Sequence, residues 1–344
     1  MKKRTLIHDV AKHLNVSIAT VSLVLNGKAK EQRISDALTE RVLQYVEEIG
    51  YKPNQLAKSL RTGKTHVIGL IIENISNPFF ATVAWMIEKN AFARGYRIIY
   101  CSTENDTLKT KDLIAMFQER HIDGYIIAPP EGIEKEVNSL LKSGIPTVMF
   151  DRYLPELTTD YIVVDGAAGI YEATRHLLEQ GFSNIAFITS DSKQTQMEAR
   201  LDGYRRALAE RDLPEKVKSV VLNFGKDIED MIVDIYNFIG QSREFDAVIF
   251  ANNSLCIYGL EAISRLGIKI PNELAIVSFD DHDLFRLHSP TITAIAQPVE
   301  KIAESSINVL LTKLQASTTK EEELKAIVLP PSLIVRESSM RVAK

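Results

Sequence analysis

A chain of 344 residues, 45% apolar and 25% charged, has the make-up of an ordinary globular protein of two or three domains. Its longest apolar runs, about six residues, fall far short of the roughly 20 that span a bilayer, and no apolar signal-peptide core follows residues 1–4, so the expected location is the cytoplasm. The net charge of −4 conceals a split, because residues 1–65 carry twelve Lys/Arg against six Asp/Glu, a head of +6 before a body of −10. A basic head on an acidic body suggests a polyanion-binding module attached to something that does not bind polyanions. Cys101 and Cys256 lie far apart, form no CxxC and read as small buried hydrophobes.

The head, residues 1–50, reads as three short helices. Thr5 is placed to cap the first, which carries Leu6, Val10, Ala11 and Leu14 on one face. Asn15 and Val16 make a turn, Ser17 caps a second helix with Val21, Val24 and Leu25 inward, and Gly27 ends it. Ser35 caps a third, carrying Leu38, Val42, Tyr45, Val46 and Ile49 and stopped by Gly50. Two short helices across a tight turn with a third behind them make a helix-turn-helix, whose second helix enters the DNA major groove. The alternative is a small helical bundle without nucleic acid.

Residues 51–65, YKPNQLAKSLRTGKT, read as a joint. Pro53 blocks any helix before it, Asn54 can cap a new one, and Gly63 stops it. A helix of about two turns is below the roughly 12–15 residues needed for marginal stability in water. It is basic at Lys58, Arg61 and Lys64 and apolar at Leu56, Ala57 and Leu60, so it is expected to fold against DNA and the same helix of a second subunit.

The stretches TLIHDVAKHLNVSIATVSLVLNG and RISDALTERVLQYVEEIGYKPNQLAKSLRTGKT resemble the headpiece and hinge of the lactose-repressor/galactose-repressor family of bacterial transcription regulators, and the likeness extends over the whole chain. The resemblance implies a homodimer on palindromic operator DNA, with recognition helices in the major groove and paired hinge helices in the minor groove. The DNA contacts it implies are Thr5, Ser17, Ile18, Ala19, Thr20, Ser22, Leu23 and Asn26 in the headpiece, and Asn54, Ala57, Lys58 and Leu60 in the hinge. Leu60 matches the leucine that wedges into the central base step, and Ala57 the small residue that allows close approach. Most relatives carry an arginine where this chain has Leu23. Ile18, Ala19 and Leu23 offer no donor to a base edge and can meet only thymine methyls, so the half-site is expected to be read through methyls, phosphates and deformability.

From His66 the pattern changes to alternating strands and helices. Apolar runs at 67–72, 97–101, 125–128, 147–150 and 161–164, and again at 185–189, 217–222, 247–250, 274–279 and 291–296, are too many for one comfortable sheet. Separated by helical segments, they read as an α/β body of two parallel-sheet lobes. By resemblance these are the two Rossmann-like subdomains of the type I periplasmic-binding-protein fold. The first lobe is then about 66–164 and 295–324, the second about 165–294 and 325–344, with the ligand in the cleft between. Open parallel sheets bind ligands beyond the carboxyl ends of their strands, where this chain places Asn77, Phe79 and Phe80, then Asp151 and Arg152, then Asn252 and Asp280. With Gln196 and Arg200 in the segment QMEARLDGY, these are the expected ligand contacts. Arg200 matches the family arginine that forks onto ligand oxygens, and Asp280 a carboxylate that accepts ligand protons. Asn253 stands where relatives usually carry Asp.

The reading is therefore a helix-turn-helix headpiece on a two-lobed α/β body: an allosteric transcriptional regulator, expected to repress, whose operator affinity follows a sugar, sugar phosphate or nucleoside. No metal or cofactor is expected, since consecutive residues such as Asp280–Asp283 rarely converge on one ion. An enzyme is disfavoured by the lack of GxGxxG, P-loop, GxSxG and HExxH motifs. A transport binding protein is disfavoured by the basic head. The tail after Leu329 lacks leucine heptads, which favours a dimer without a membrane partner.

Overall fold

The first residues of the headpiece show how its short helices are started and stopped. The computed structural model describes residues 6–51, 63–220, 228–241, 244–315 and 323–341, and the chain divides into two units, Met1–Thr65 and His66–Lys344. In the first unit lie α1 (Ile7–Leu14), α2 (Ile18–Leu25) and α3 (Asp36–Glu48). The Asp9 carboxylate accepts from the Leu6 N–H at 2.9 Å, closing the entry to α1. Asn15, at φ 54°, ends that helix in the left-handed region that Asn tolerates. The Ser17 hydroxyl accepts from the Thr20 N–H at 3.0 Å and the Ser35 hydroxyl from the Leu38 N–H at 3.4 Å, so two of the three expected caps are made, whereas the N-cap of α1 is Leu6 and not the expected Thr5. Val10, Ala11, Leu14, Val21, Val24, Ala29 and Val42 form the core where the three helices meet. Full burial of each valine contributes on the order of 1.5–3 kcal/mol, which substitutes for the helical stability that eight-residue segments lack. Arg41 adds a tie from α3 to the end of α1, donating to the Leu14 carbonyl at 3.1 Å.

The second unit runs β1 (Val67–Ile72), α4 (Pro78–Ala93), β2 (Arg97–Ser102), α5 (Thr107–Glu119), β3 (Gly124–Ile127), α6 (Glu134–Lys142), β4 (Thr147–Phe150), β5 (Asp160–Val164) and α7 (Gly166–Glu179). It continues through β6 (Ile185–Ser190), α8 (Thr195–Ala209), β7 (Val217–Val220), α9 (Ile228–Gln241), β8 (Ala247–Phe250), α10 (Asn253–Leu266), β9 (Ala275–Phe279) and α11 (Asp283–Leu287). It closes with β10 (Thr293–Ala296), α12 (Val299–Gln315), β11 (Ala326–Leu329), β12 (Ser332–Ile334) and a 3-10 turn at Glu337–Ser339. The strands form two six-stranded sheets, ordered β11-β5-β4-β3-β1-β2 and β12-β10-β9-β8-β6-β7. Among the described residues all pairings are parallel except β12 against β10. Central strands such as β3, β4 and β8 are buried at every residue, as parallel strands covered by helices on both faces must be.

The chain passes between the lobes three times: after β5, after β10 and after β11. The last two passages differ slightly from the sequence reading. Residues 295 and 296 belong to the second lobe, because β10 pairs with β9. Residues 326–329 belong to the first, because β11 pairs with β5, Ala326 opposite Tyr161. The boundaries expected at 294/295 and 324/325 therefore fall after Ala296 and after Leu329. Helix α12 packs on the first lobe through Ile302, Ala303, Ile307, Leu310 and Leu311. Helix α7 packs on the second through Ile170, Ala173 and Leu177. Within the second lobe α7 and α8 approach so closely that a Cβ on Gly203 would lie 2.1 Å from the Ala167 carbonyl oxygen. Cys256 is buried and Cys101 half-buried, and neither is in a disulfide. No described helix is long and apolar enough to cross a membrane.

Candidate functional site

Two surfaces draw the predicted residues together. On the headpiece, Ser17, Ile18, Ala19 and Asn26 are exposed, Ile18 at 45%, while Thr20, Ser22 and Leu23 are half-buried. The exposed residues cluster at the N-terminal end of α2, except Asn26, whose amide donates to the Ser22 carbonyl at 2.6 Å at the other end. The Ser17 and Thr20 hydroxyls bond each other at 2.8 Å, holding two short polar groups beside the apolar Ile18 and Ala19. Thr5, Asn54, Ala57, Lys58 and Leu60 lie outside the described residues.

The second surface is a cleft of about 730 Å3 between the two lobes of the body, lined by all nine predicted ligand contacts. It sits at the carboxyl ends of both sheets, where parallel strands deliver their loops. Asn77 caps α4, its side-chain oxygen accepting from the Phe79 N–H at 2.9 Å. Asn252 does the same for α10, accepting from Leu255 N–H at 2.9 Å. The two phenylalanines divide: Phe80 is 5% exposed and packs edge-on to Phe150 in the core, while Phe79 is half-buried. Asp151 and Asp280, directly after β4 and β9, both sit at positive φ, 67° and 68°. Such left-handed residues at strand ends are uncommon outside Gly and Asn/Asp, and functional loops concentrate them.

Arg152 is not a free ligand contact. Its side chain is 2% exposed and its donors are taken by the Pro129 carbonyl at 2.8 Å, Glu73 at 2.7 Å, Asp151 at 3.4 Å, Gln194 at 3.2 Å and Asn105 at 2.7 Å. The guanidinium is a hub that ties its own loop to four others, one of them, through Gln194, on the opposite lobe. Three of its partners, Glu73, Asn105 and Gln194, are 42 to 79 residues away in sequence, which is why they carry no signal in the linear pattern. Arg200 is different. It is 5% exposed, lies 3.7 Å over the Phe279 ring, and donates to the Ala251 carbonyl at 2.8 Å. Its Nε and the Gln196 Oε1 are buried without a protein partner. Asp280 accepts from Gln297 at 2.6 Å, a further residue that sequence reasoning missed. Asn253 reaches across the cleft to Asn77, one amide bond at 3.1 Å and its reciprocal at 3.4 Å.

Burial pushes the Asp151 carboxyl up to about 6, although Arg152 and Arg200 pull it down. Asp280 is raised by the same cause, against Arg200 and Gln297, and burial pulls the Arg200 guanidinium below its usual value. The consequence for stability has a definite sign. Between about pH 4 and 6 the native state keeps a proton on Asp151 that the unfolded chain has released, so this group's contribution falls as pH rises through that window. The loss is on the order of 3 kcal/mol. Asn tolerates the left-handed backbone and carries no charge. The melting temperature of Asp151→Asn minus that of the wild type is therefore expected to be larger at pH 7.5 than at pH 5, and an equal difference at both would contradict it. Among the described residues no group of three His, Cys, Asp or Glu could hold a metal ion.

Comparison with known proteins places these two surfaces in context. Residues 6–54 match the family described as bacterial regulatory proteins, lacI family, and residues 174–339 match the periplasmic binding protein-like domain. The chain is 33% identical to the HTH-type transcriptional regulator DegA of Bacillus subtilis over 98% of each chain. Its fold is similar to that of the lac repressor dimer bound to operator and the anti-inducer ONPF, with TM-score 0.84 at 19% identity, covering 98% of this chain and 100% of that one. It is similar, too, to a transcriptional regulator of Enterococcus faecium with bound ribose, with TM-score 0.71 at 25% identity, covering 80% of this chain and 100% of that one.

Proposed function

Because the chain belongs to the lacI family of bacterial regulatory proteins, we propose that it is a DNA-binding transcriptional repressor whose operator affinity is set by a small molecule held between its two lobes. The observation that carries this reading is the pairing, in one chain, of a capped helix-turn-helix with a cleft lined by all nine predicted ligand contacts. The DNA partner is a palindromic operator, the assembly a homodimer and the working compartment the cytoplasm. Helix α2 lies in the major groove, where Ser17 and Thr20 meet phosphates and Ile18 and Ala19 meet thymine methyls. Residues 51–65 form the hinge, and Leu60 wedges into the central base step of the minor groove.

The effector is a sugar, sugar phosphate or nucleoside. The bound ribose of the Enterococcus faecium regulator supports this class. Closure of the lobes around it alters the spacing of the two first lobes of the dimer, and with it the pairing of the hinge helices. Ligand and operator then change each other's affinity by the same factor.

Deleting residues 1–65 separates this function from its alternatives. The truncated protein is expected to lose all retention on operator DNA while keeping the ligand-induced rise in melting temperature of the full chain. Undiminished DNA binding by the truncated protein would refute the assignment of the headpiece.

A further inference from the structure

The effector class above spans neutral and anionic molecules, and the polar groups of the cleft discriminate between them. Resting on the reading of that cleft as the effector site, we propose that the ligand is an uncharged polyhydroxylated molecule and that phosphate esters are excluded.

The charge balance comes first. Among the described residues, five carboxylates line the cleft, from Glu73, Glu131, Asp151, Asp191 and Asp280, against the two guanidiniums of Arg152 and Arg200. Arg152 is already held by two carboxylates, two side-chain carbonyls and a backbone carbonyl. The carboxylates of Asp280 and Asp151 both favour the charged form of Arg200 and so offset part of its charge. Helix N-termini are the other common anion sites. Those of α4 and α10 open onto this cleft, but Asn77 and Asn252 have turned their own oxygens onto the N–H groups of Phe79 and Leu255. A phosphate dianion entering here meets more carboxylates than guanidiniums, with Arg152 already engaged and Arg200 the guanidinium left to receive it.

The orphaned atoms come second. Arg200 Nε is a buried donor without an acceptor, and Gln196 Oε1 a buried acceptor without a donor. The orientation of the Gln196 amide is fixed by its neighbours. Gln194 Oε1 accepts from Arg152 and so must also accept from Gln196, which puts Gln196 Nε2 on that bond at 3.1 Å and leaves Oε1 facing nothing. The cleft therefore asks its occupant both to accept and to donate, and the buried Asp151 and Asp280 also call for donors. A hydroxyl does both. A phosphate oxygen at neutral pH only accepts. The half-buried Phe79 offers a ring to the apolar face of a sugar.

Free sugars and the ribose of nucleosides share this chemistry. The test titrates the full-length protein by calorimetry with matched pairs: glucose, ribose, cellobiose and adenosine against glucose 6-phosphate, ribose 5-phosphate, cellobiose 6-phosphate and AMP, with inorganic phosphate alone as an anion probe. The expected result is that every pair that binds favours the neutral member by at least tenfold, and that phosphate does not raise the melting temperature. The sugars against adenosine tell the two neutral sources apart. A phosphate ester that binds as tightly as its parent overturns the proposal while leaving the cleft reading intact. Silence from every compound in a protein that still binds operator DNA overturns both.

Gln196→Met supplies an independent readout. The substitution removes the unpaired buried acceptor together with the amide bond to Gln194 Oε1, two opposed effects, so the ligand-free melting temperature is expected to change little, while affinity for the neutral ligand falls by about tenfold, the loss of one ordinary hydrogen bond. An unaltered affinity would show that the ligand makes no donation there, and would overturn the proposal.

Discussion

Arg152→Met is expected to lower the melting temperature of the body by about 10 °C, the consequence of losing about 3–5 kcal/mol. Methionine replaces the length and the apolar stem of the side chain, so the effect isolates the guanidinium. Its removal strands the Glu73 and Asp151 carboxylates, takes one of two donors from Gln194 Oε1, and deprives the Pro129 carbonyl and the Asn105 side-chain oxygen of the guanidinium donor. Breaking one member of a buried ion pair is far more damaging than replacing both, because the remaining charge stays desolvated. Glu73→Gln placed on top of Arg152→Met should therefore recover part of the loss, a non-additivity that a thermal melt of the four proteins reads directly. A change of less than about 2 °C in the single variant would mean that water takes the place of the guanidinium and the hub is dispensable.

Arg200→Met is expected to abolish the response to effector. The guanidinium is held against Phe279 and anchored on the Ala251 carbonyl, so its removal takes away a buried Nε donor that no protein acceptor satisfies. A charge-assisted bond contributes about 1.5–3 kcal/mol, and a forked one more, which predicts a loss of at least about a hundredfold in ligand affinity. Operator binding without ligand should persist, because nothing in the headpiece changes. Electrophoretic mobility shifts with and without effector check both halves of the prediction. A variant whose operator affinity still followed ligand would show that the donor is not required.

These two arginines also mark how far the linear sequence could be read. The headpiece is local in its causes: Ser17 and Ser35 cap their own helices, and Asn15 ends the first. Its helices were therefore legible in the sequence, although Leu6, expected on the inner face of the first, lies before it and is exposed. The two-sheet body followed from the count and spacing of apolar runs. Arg152 and Arg200 both stood out by position, yet only pairing across 42 to 79 residues distinguishes the engaged guanidinium of Arg152 from that of Arg200, which keeps an unpartnered donor. Phe79 and Phe80 are adjacent, and which one faces the cleft depends on the phase of α4 against a core that the sequence does not display. Glu73, Gln194 and Gln297 lie in loops without motif, and their roles arise only where the strand ends meet. The lobe boundaries slipped by a few residues because β10 and β11 owe their sheet membership to partners far earlier in the chain.

The order of the strands has a consequence for synthesis. The first sheet receives its outermost strand from Ala326–Leu329 and the second from Ser332–Ile334. Neither lobe is complete until nearly the whole polypeptide has left the ribosome, whereas the three helices of the headpiece need only residues 6–51. Local contacts form early and long-range strand pairing late. During translation, then, the DNA-reading end is finished some 280 residues before the part that restrains it. Both sheets of the body thus wait for the strands at Ala326–Leu329 and Ser332–Ile334, and a chain cut before them would hold a folded headpiece on an unfinished body.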